Sequence, residues 1–403
     1  MIFELFIALL CGVIAGTFTG LFPGIHINLI AALLLSSLSA LSKYFSPLQL
    51  IIFIVAMSIT HTFIDFIPSI FLGAPEEDTF LSILPGHQLL KEGRGYEACI
   101  LTLLGSASAI LVIIIVSPIF IYFLPSVYSL IKTIIPFLLI FVSLYMIFRE
   151  EDIFSASVVF ILSGFLGFAA FALPIKEPLM PLLSGLFGLS ALLITLESRS
   201  KIGEQEIPGI KSLLPTKKEF FSSIIASSIA SPLCSFLPGI GSGHAAVIGS
   251  EMTKQTNRKF LLLVGATNTI VMGLSFITLF AINKTRTGSA VAVQEILSSL
   301  SSQNLMFILT AILLAGAVSF FLGIKISKFF AKNINKISYL KLSIGVIFIL
   351  VTLNLILTNF LGFIVLLTAT FLGIYCILSG SKRINMMGVL IVPAIIYYLT
   401  NYT

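Results

Sequence analysis

Two short tracts combine Pro-Gly with histidine inside otherwise apolar sequence. The first is FPGIHINLI at 22–30, and the second is CSFLPGIGSGHAAVIGS at 234–250. Because proline lacks a backbone N–H and glycine weakens a helix, each Pro-Gly pair predicts the end or a kink of a helix. A helix that begins at Ile25 or Ile240 would direct free N–H groups and the positive end of its dipole at an anion such as a carboxylate or phosphate.

Polar side chains beside these breaks are the candidates for substrate binding, because such groups are costly in apolar surroundings and mark functional sites. We predict a substrate site formed by Pro23, Gly24, Ile25, His26, Asn28, Pro238, Gly239, Gly241, Ser242, Gly243, His244 and Asn268. A proline kink with packing glycines stays open as the simpler interpretation of either tract alone. Two breaks at matching places favour a transport site near the membrane midplane.

Four further side chains are candidates for moving a proton or an ion. His61 and Asp65 are four residues apart, which puts them on one helix face where they can exchange a proton. Thr60 and Thr267 supply hydroxyl oxygens that suit sodium beside unwound carbonyls. A buried His–Asp pair with a purely structural role is the alternative. The four cysteines show no metal spacing, so we expect no metal centre and no cofactor beyond a coupling sodium ion or proton.

The composition identifies the environment in which these residues must work. Hydrophobic residues make up 58% of the chain and charged residues only 10%, against about 25% charged in soluble domains. Long apolar runs without alternation indicate an all-α polytopic membrane protein rather than a barrel. The net charge of +6 is explained by basic loops at a lipid surface, so we expect membrane lipid and no nucleic acid as a partner.

The chain divides into two similar halves. We assign 1–196 to a first repeat with a broken re-entrant hairpin at 5–42, 197–217 to a cytoplasmic linker, and 218–403 to a second repeat with a hairpin at 218–250. After the hairpins we expect spans at 47–70, 95–117, 126–148, 153–174 and 177–196, and at 260–282, 303–324, 342–358, 361–379 and 385–401.

The orientation follows from the number of spans and from the basic residues. PGIH at 23–26 corresponds to PGIGSGH at 238–244, and five spans per repeat would invert the second repeat relative to the first. The positive-inside rule agrees, because with both termini outside only five of the 23 Lys and Arg fall outside: Lys43, Lys132, Lys176, Lys284 and Arg286. We therefore expect a multi-pass protein of the cell membrane.

Four motifs resemble those of the large membrane subunit of tripartite tricarboxylate transporters (the TctA type), in a compact form similar to archaeal members. They are GTFTGLFPG at 16–24, LGAPEEDTFLSILPGHQLLKEGRGYEA at 72–98, LPGIGSG at 237–243 and GATNTI at 265–270. The resemblance implies a permease that carries carboxylates with an ion gradient. It also implies two partners, a small membrane subunit and an extracytoplasmic solute-binding protein. A homodimer stays open.

These observations predict a secondary-active permease that moves a small organic anion by alternating access and symport. Translocation of a lipid-linked anion such as polyprenyl phosphate is the alternative, and a structural membrane protein is a third reading. An intramembrane serine protease is disfavoured because Ser242 and His244 are only two residues apart and the tract at 22–30 lacks the serine. We therefore expect no enzyme activity.

Overall fold

The computed structural model describes residues 2–22, 27–72, 79, 83–131, 134–175, 178–198, 203–237, 240–254, 256–285, 287–297, 299–334 and 339–402. Within these ranges the chain is helical and has no strand, as the continuous apolar runs predict. Nine of the described helices are long and apolar enough to cross a membrane: Ile2–Leu21, Pro47–Leu72, Gly95–Tyr128, Ile153–Ala172, Lys217–Phe236, Asn257–Ile282, Ser302–Asn333, Ser343–Leu378 and Arg383–Thr400.

The helices are numbered in chain order. The first half contains α1 Ile2–Leu21, α2 Ile27–Ser36, α3 Leu38–Leu41, α4 Pro47–Ile64, α5 Phe66–Leu72, α6 Ile83–Lys91, α7 Gly95–Ile131, α8 Ile135–Phe148, α9 Ile153–Ala172, α10 Leu179–Leu183, a π-helical turn Ser184–Leu189 and α11 Ser190–Ser198. The linker contains α12 Ile210–Leu213, and the second half contains α13 Lys217–Phe236, α14 Ser242–Glu251, α15 Asn257–Ile282, α16 Gly288–Ile296, α17 Ser302–Asn333, α18 Tyr339–Leu378, a 3₁₀ turn Arg383–Met387 and α19 Gly388–Tyr402.

Side-chain caps determine where the central helices begin. Ser46 caps α4 together with Gln49, and Thr256 caps α15 by accepting from the Lys259 amide. Such caps satisfy amide groups that the first helical turn leaves without partners. α15 covers the span predicted at 260–282, and α4 together with α5 covers the span predicted at 47–70.

Three predicted spans, 95–117, 126–148 and 303–324, differ from the structure. The helix expected at 95–117 continues as α7 to Ile131, through Pro118 and Pro125, and α8 begins only at Ile135. The apolar sequence between the two prolines is uninterrupted, and prolines are tolerated in membrane helices where neighbouring groups satisfy the freed backbone. The span expected at 303–324 likewise extends as α17 to Asn333.

The break predicted between 358 and 361 lies at Asn359 in α18. Its φ of 64° is left-handed and interrupts the helix. The Asn359 side-chain oxygen accepts from the amides of Leu361 and Gly362. Asn359 therefore ends one helical segment and caps the next.

α4 and α15 occupy the centre of the molecule, and each is buried over almost its whole length. Glycines let their neighbours approach them closely. A Cβ at Gly16 of α1 would lie 2.3 Å from the Met57 carbonyl oxygen in α4, and a Cβ at Gly105 of α7 would lie 2.1 Å from the Leu262 carbonyl oxygen in α15. Helices in lipid associate through such small-residue contacts, so α1 and α7 hold the central helices in place.

The outer helices carry the surface expected in lipid. Large apolar side chains point outward along them, including Ile115 at 69%, Phe165 at 67% and Phe371 at 69% exposure. α8, α9, the second segment of α18 and α19 contribute to a second apolar cluster, which also includes Cys234 of α13 and Val271 of α15. A water-facing protein does not expose apolar side chains on this scale, which supports a multi-pass membrane protein.

The two predicted hairpin regions are built alike. Each consists of a 20-residue helix, a short break and a 10-residue helix, namely α1 with α2 and α13 with α14. This agreement is what a duplication would produce. The inverted relation of the halves and the re-entrant course of the hairpins stay predictions, since α1 and α13 are themselves long enough to span.

Candidate functional site

Polar side chains from α4 and α15 meet in the interior of the protein. Asn268 Nδ2 of α15 donates a hydrogen bond of 2.8 Å to Asp65 Oδ2, at the C-terminal end of α4. Both side chains are 2% exposed. A buried carboxylate at this depth needs polar partners, and here the second central helix supplies one of them.

His61 lies on the same face of α4 as Asp65, as the spacing predicts. Its Nε2 is 3.9 Å from Asp65 Oδ2, and the ring is 2% exposed. The two groups are thus adjacent at a distance slightly longer than a direct hydrogen bond. The structure brings together three of the predicted residues, His61, Asp65 and Asn268.

Thr19 of α1 forms a hydrogen bond with the His61 ring. Thr19 Oγ1 donates its hydrogen to the Gly16 carbonyl, so its lone pairs are available to His61 Nδ1 at 3.0 Å. With the Thr19 hydrogen directed at that carbonyl, Nδ1 is the donor in the contact. In this tautomer a neutral His61 ring carries no hydrogen on Nε2, the atom that lies nearer Asp65 Oδ2. A proton added to Nε2 would make the contact with the carboxylate a charge-assisted one.

Two predicted threonines make other bonds. Thr60 Oγ1 accepts from Ser319 of α17, and Thr267 Oγ1 donates to the Val264 carbonyl of its own helix. Both are buried beside the central residues, but these hydrogen bonds connect them to α17 and α15 rather than to Asp65.

A second contact between the central helices was not predicted. Thr62 Oγ1 of α4 and Thr269 Oγ1 of α15 are 3.0 Å apart. Ser106 of α7 donates to the Gly265 carbonyl beside them. The sequence did contain a signal for this contact, namely a threonine in each of the two polar segments around His61 and Asn268, because hydroxyl groups often connect membrane helices.

The second Pro-Gly tract is described except for Pro238 and Gly239. α14 begins at Ser242, two residues later than expected, with Gly241 as its N-cap. His244 is fully buried, and its Nδ1 accepts from the Gly241 amide at 3.2 Å. That amide is therefore occupied, whereas the sequence predicted it to be free for an anion. Gly243 is buried in the same first turn.

The rest of the predicted substrate site is only partly covered. Pro23, Gly24, Ile25 and His26 lie outside the described residues, as do Pro238 and Gly239. Asn28 lies in α2.

An ionic cluster that the sequence analysis did not identify connects the halves on the linker side. Glu97 of α7, 5% exposed, accepts two bonds from Arg94, at 2.7 and 3.0 Å, and forms an ion pair with Arg258 of α15. Arg258 also donates to the Leu213 carbonyl in the linker, and Gln205 accepts from the Gly95 amide. The linker is thereby attached to α7 and α15.

In the part of the chain that the structure describes, no three His, Cys, Asp or Glu side chains lie close enough together to bind a metal ion. The donors around Asp65 and Asn268 are oxygen atoms and an imidazole. This set suits a proton or an alkali cation.

The comparisons with known proteins agree with the helical membrane architecture. The family model of the tripartite tricarboxylate transporter TctA family matches residues 6–388. An uncharacterized protein of Methanocaldococcus jannaschii is 32% identical over 403 residues, covering 97% of this chain and 98% of that protein. No solved structure matches. With nearly its whole length matched, the chain belongs to the tripartite tricarboxylate transporter TctA family.

Proposed function

We propose that this chain is the membrane permease of a transporter for small organic carboxylates and that His61, Asp65 and Asn268 couple transport to proton movement. The observation that carries this proposal is the buried contact of Asn268 with Asp65 beside His61. Ionisable groups inside membrane helices are costly and are typical of proton and ion pathways. Their place between α4 and α15 connects the two halves.

The mechanism would be alternating access. Protonation of the His61–Asp65 pair removes the repulsion between His61 Nε2 and the Asp65 carboxylate. Deprotonation makes that carboxylate a stronger hydrogen-bond acceptor for the Asn268 amide. The contact between α4 and α15 therefore changes with the proton. A ligand can shift such an equilibrium only through a difference in its interactions with the two states, and this pair provides that difference.

The substrate would bind beside the two Pro-Gly tracts, where helices α2 and α14 begin. Helix N-termini favour carboxylates, and the family's name indicates tricarboxylates. Family membership implies a small membrane subunit and an extracytoplasmic solute-binding protein as partners. The protein would lie in the cell membrane, and its linker would face the cytoplasm.

Uptake into proteoliposomes tests this function. The purified chain, reconstituted with any co-purifying subunit, is given radiolabelled mono-, di- and tricarboxylates under an imposed proton gradient, an imposed sodium gradient or neither. We expect accumulation of at least one carboxylate that depends on the proton gradient. Accumulation driven by sodium alone would contradict the proton assignment, and no gradient-driven uptake of any acid would contradict the proposed function.

A further inference from the structure

A groove opens between the ends of four helices, α1, α5, α17 and α18, and its volume is about 400 Å³. Leu72, Ile334 and Val346 are buried residues of its lining, while Phe329 and Ile349 are exposed at its sides. The groove therefore presents an apolar surface of the kind that lipid chains or another protein cover in a membrane.

The groove lies on the side of the protein that holds the linker. Phe330 in its lining packs against Phe71 of α5, with ring centroids 5.8 Å apart. A Cβ at Gly95 would lie 3.1 Å from the Phe71 ring, and the Gly95 amide donates to Gln205 of the linker. The sequence predicts that this side faces the cytoplasm, where a membrane surface is negative.

The polar part of the groove is basic. Lys341 of α18 belongs to its lining and is exposed. The last three turns of α17 carry three more exposed lysines, Lys325, Lys328 and Lys332. Their spacing of three and four residues puts them on one face of α17, next to Phe329. We call this feature the basic groove.

Acidic residues do not offset these charges in the part of the chain that the structure describes. None of the four lysines forms an ion pair there. The sequence has no Asp or Glu after Glu295, so α17 and α18 contribute no carboxylate of their own. The positive charge of the groove is therefore available to an anion from outside the chain.

The combination of apolar walls and a basic edge decides between possible occupants. A soluble anion would leave the apolar walls uncovered. A two-fold contact with a second copy through this face would set the same lysines against each other, which is unfavourable. A phospholipid with a negative headgroup matches both parts, because lysine stems lie along apolar surface while their ammonium groups reach the headgroup level.

We propose that the basic groove binds an anionic phospholipid, with an acyl chain along Phe329 and Ile349 and the headgroup phosphate beside Lys341. Basic pockets between membrane helices on the cytoplasmic side are suited to such headgroups. The site is separate from the residues around Asp65, and it does not depend on the proposed transport function.

A second groove at the other end of α1 provides an internal comparison. It has a volume of about 510 Å³, and its lining includes Phe45. Among its described lining residues the charged one is Glu4, whose carboxylate accepts from Gln49 at 3.3 Å. This acidic groove has similar apolar walls but the opposite charge, so it should not prefer an anionic lipid.

Tryptophan fluorescence tests the preference at each groove separately. Because the chain has no tryptophan, Phe329→Trp places a single reporter in the basic groove and Phe45→Trp places one in the acidic groove. Each full-length variant is reconstituted with brominated phosphatidylglycerol or brominated phosphatidylcholine, which quench a nearby indole. We expect Phe329→Trp to report at least a tenfold preference for phosphatidylglycerol that weakens at high salt, and Phe45→Trp to report none.

Further variants connect the preference to the lysines. Lys341→Gln added to Phe329→Trp should lower it about fivefold, whereas Lys43→Gln, an exposed lysine beside the acidic groove, should leave it unchanged. If Phe329→Trp fails to fold, Ile349→Trp takes its place as the reporter. Equal preferences at the two grooves, or no effect of Lys341→Gln, would overturn the proposal. Absence of quenching by either lipid would also overturn it, since a protein would then cover the groove.

Discussion

Asp65 and Asn268 are 203 positions apart in the chain and are joined by a side-chain hydrogen bond of 2.8 Å in its interior. Each lies on one of the two central helices, and these helices correspond in the proposed duplication. The bond therefore connects the halves at a place where an ionisable pair, His61 with Asp65, is buried between them. In the proposed mechanism, a change in protonation at that place alters how the halves contact each other.

Gly16 should be intolerant of any side chain. A Cβ there would lie 2.3 Å from the Met57 carbonyl oxygen and 2.7 Å from Thr60 Cβ, so Gly16→Ala should push α1 away from α4 and separate Thr19 from His61. We expect a loss of about 1–3 kcal/mol in the free energy of unfolding and loss of uptake, measured by thermal unfolding and proteoliposome transport. The control is Gly345→Ala, where no atom lies within 4 Å. Equal stability of the two variants would contradict the close packing.

Glu97 should stabilise the attachment of the linker. Glu97→Gln leaves Arg94 and the partly buried Arg258 without a carboxylate, and we expect the free energy of unfolding to fall by about 1–3 kcal/mol. Glu92→Gln is the matched control, since its ion pair with Arg94 is solvent-exposed and worth little. Limited proteolysis of the linker measures the same effect, with faster cleavage expected only in Glu97→Gln. Unchanged cleavage in that variant would show that the cluster does not hold the linker.

His87 should make stability depend on pH below neutrality. Its pKa falls to about 4 in the folded protein because of burial and the charges of Lys91 and Arg383, against 6.5 for an ordinary histidine. Between pH 6.5 and 4 the unfolded chain binds the extra proton, so stability decreases as the pH falls through this window. The full effect is about 3 kcal/mol, and His87→Gln should lack this contribution when Tm is measured as a function of pH. A wild type and variant with the same pH profile would contradict the burial of His87.

Much of the architecture was predictable because apolar runs and Pro-Gly breaks are local signals. The all-helical membrane class, the bounds of α4 and α15, and the interruption near residue 359 follow from hydropathy and turn-forming residues. The spans through Pro118 and Pro125 were wrong because a proline inside an uninterrupted apolar run does not end a helix by itself.

The site was predictable in its ionisable part. His61 and Asp65 are neighbours by helical spacing alone, but their partner in α15 and the role of Thr19 depend on how distant helices pack. GxxxGxxxG at Gly12, Gly16 and Gly20 was a usable signal for the approach of α1 to α4. The bond of His244 to the Gly241 amide could not be anticipated, because side-chain direction at a helix start depends on the surrounding contacts.

The most direct measurement is proton movement by Asp65→Asn in proteoliposomes loaded with a pH-sensitive dye, with Asp152→Asn as the control for an exposed carboxylate that caps α9. The wild type and Asp152→Asn should acidify the lumen when a carboxylate substrate enters. Asp65→Asn should lose that signal and lose accumulation against a gradient at least tenfold, while exchange of labelled for unlabelled substrate continues. Substrate-dependent acidification by Asp65→Asn at the wild-type rate would contradict the coupling role of the His61–Asp65–Asn268 contact.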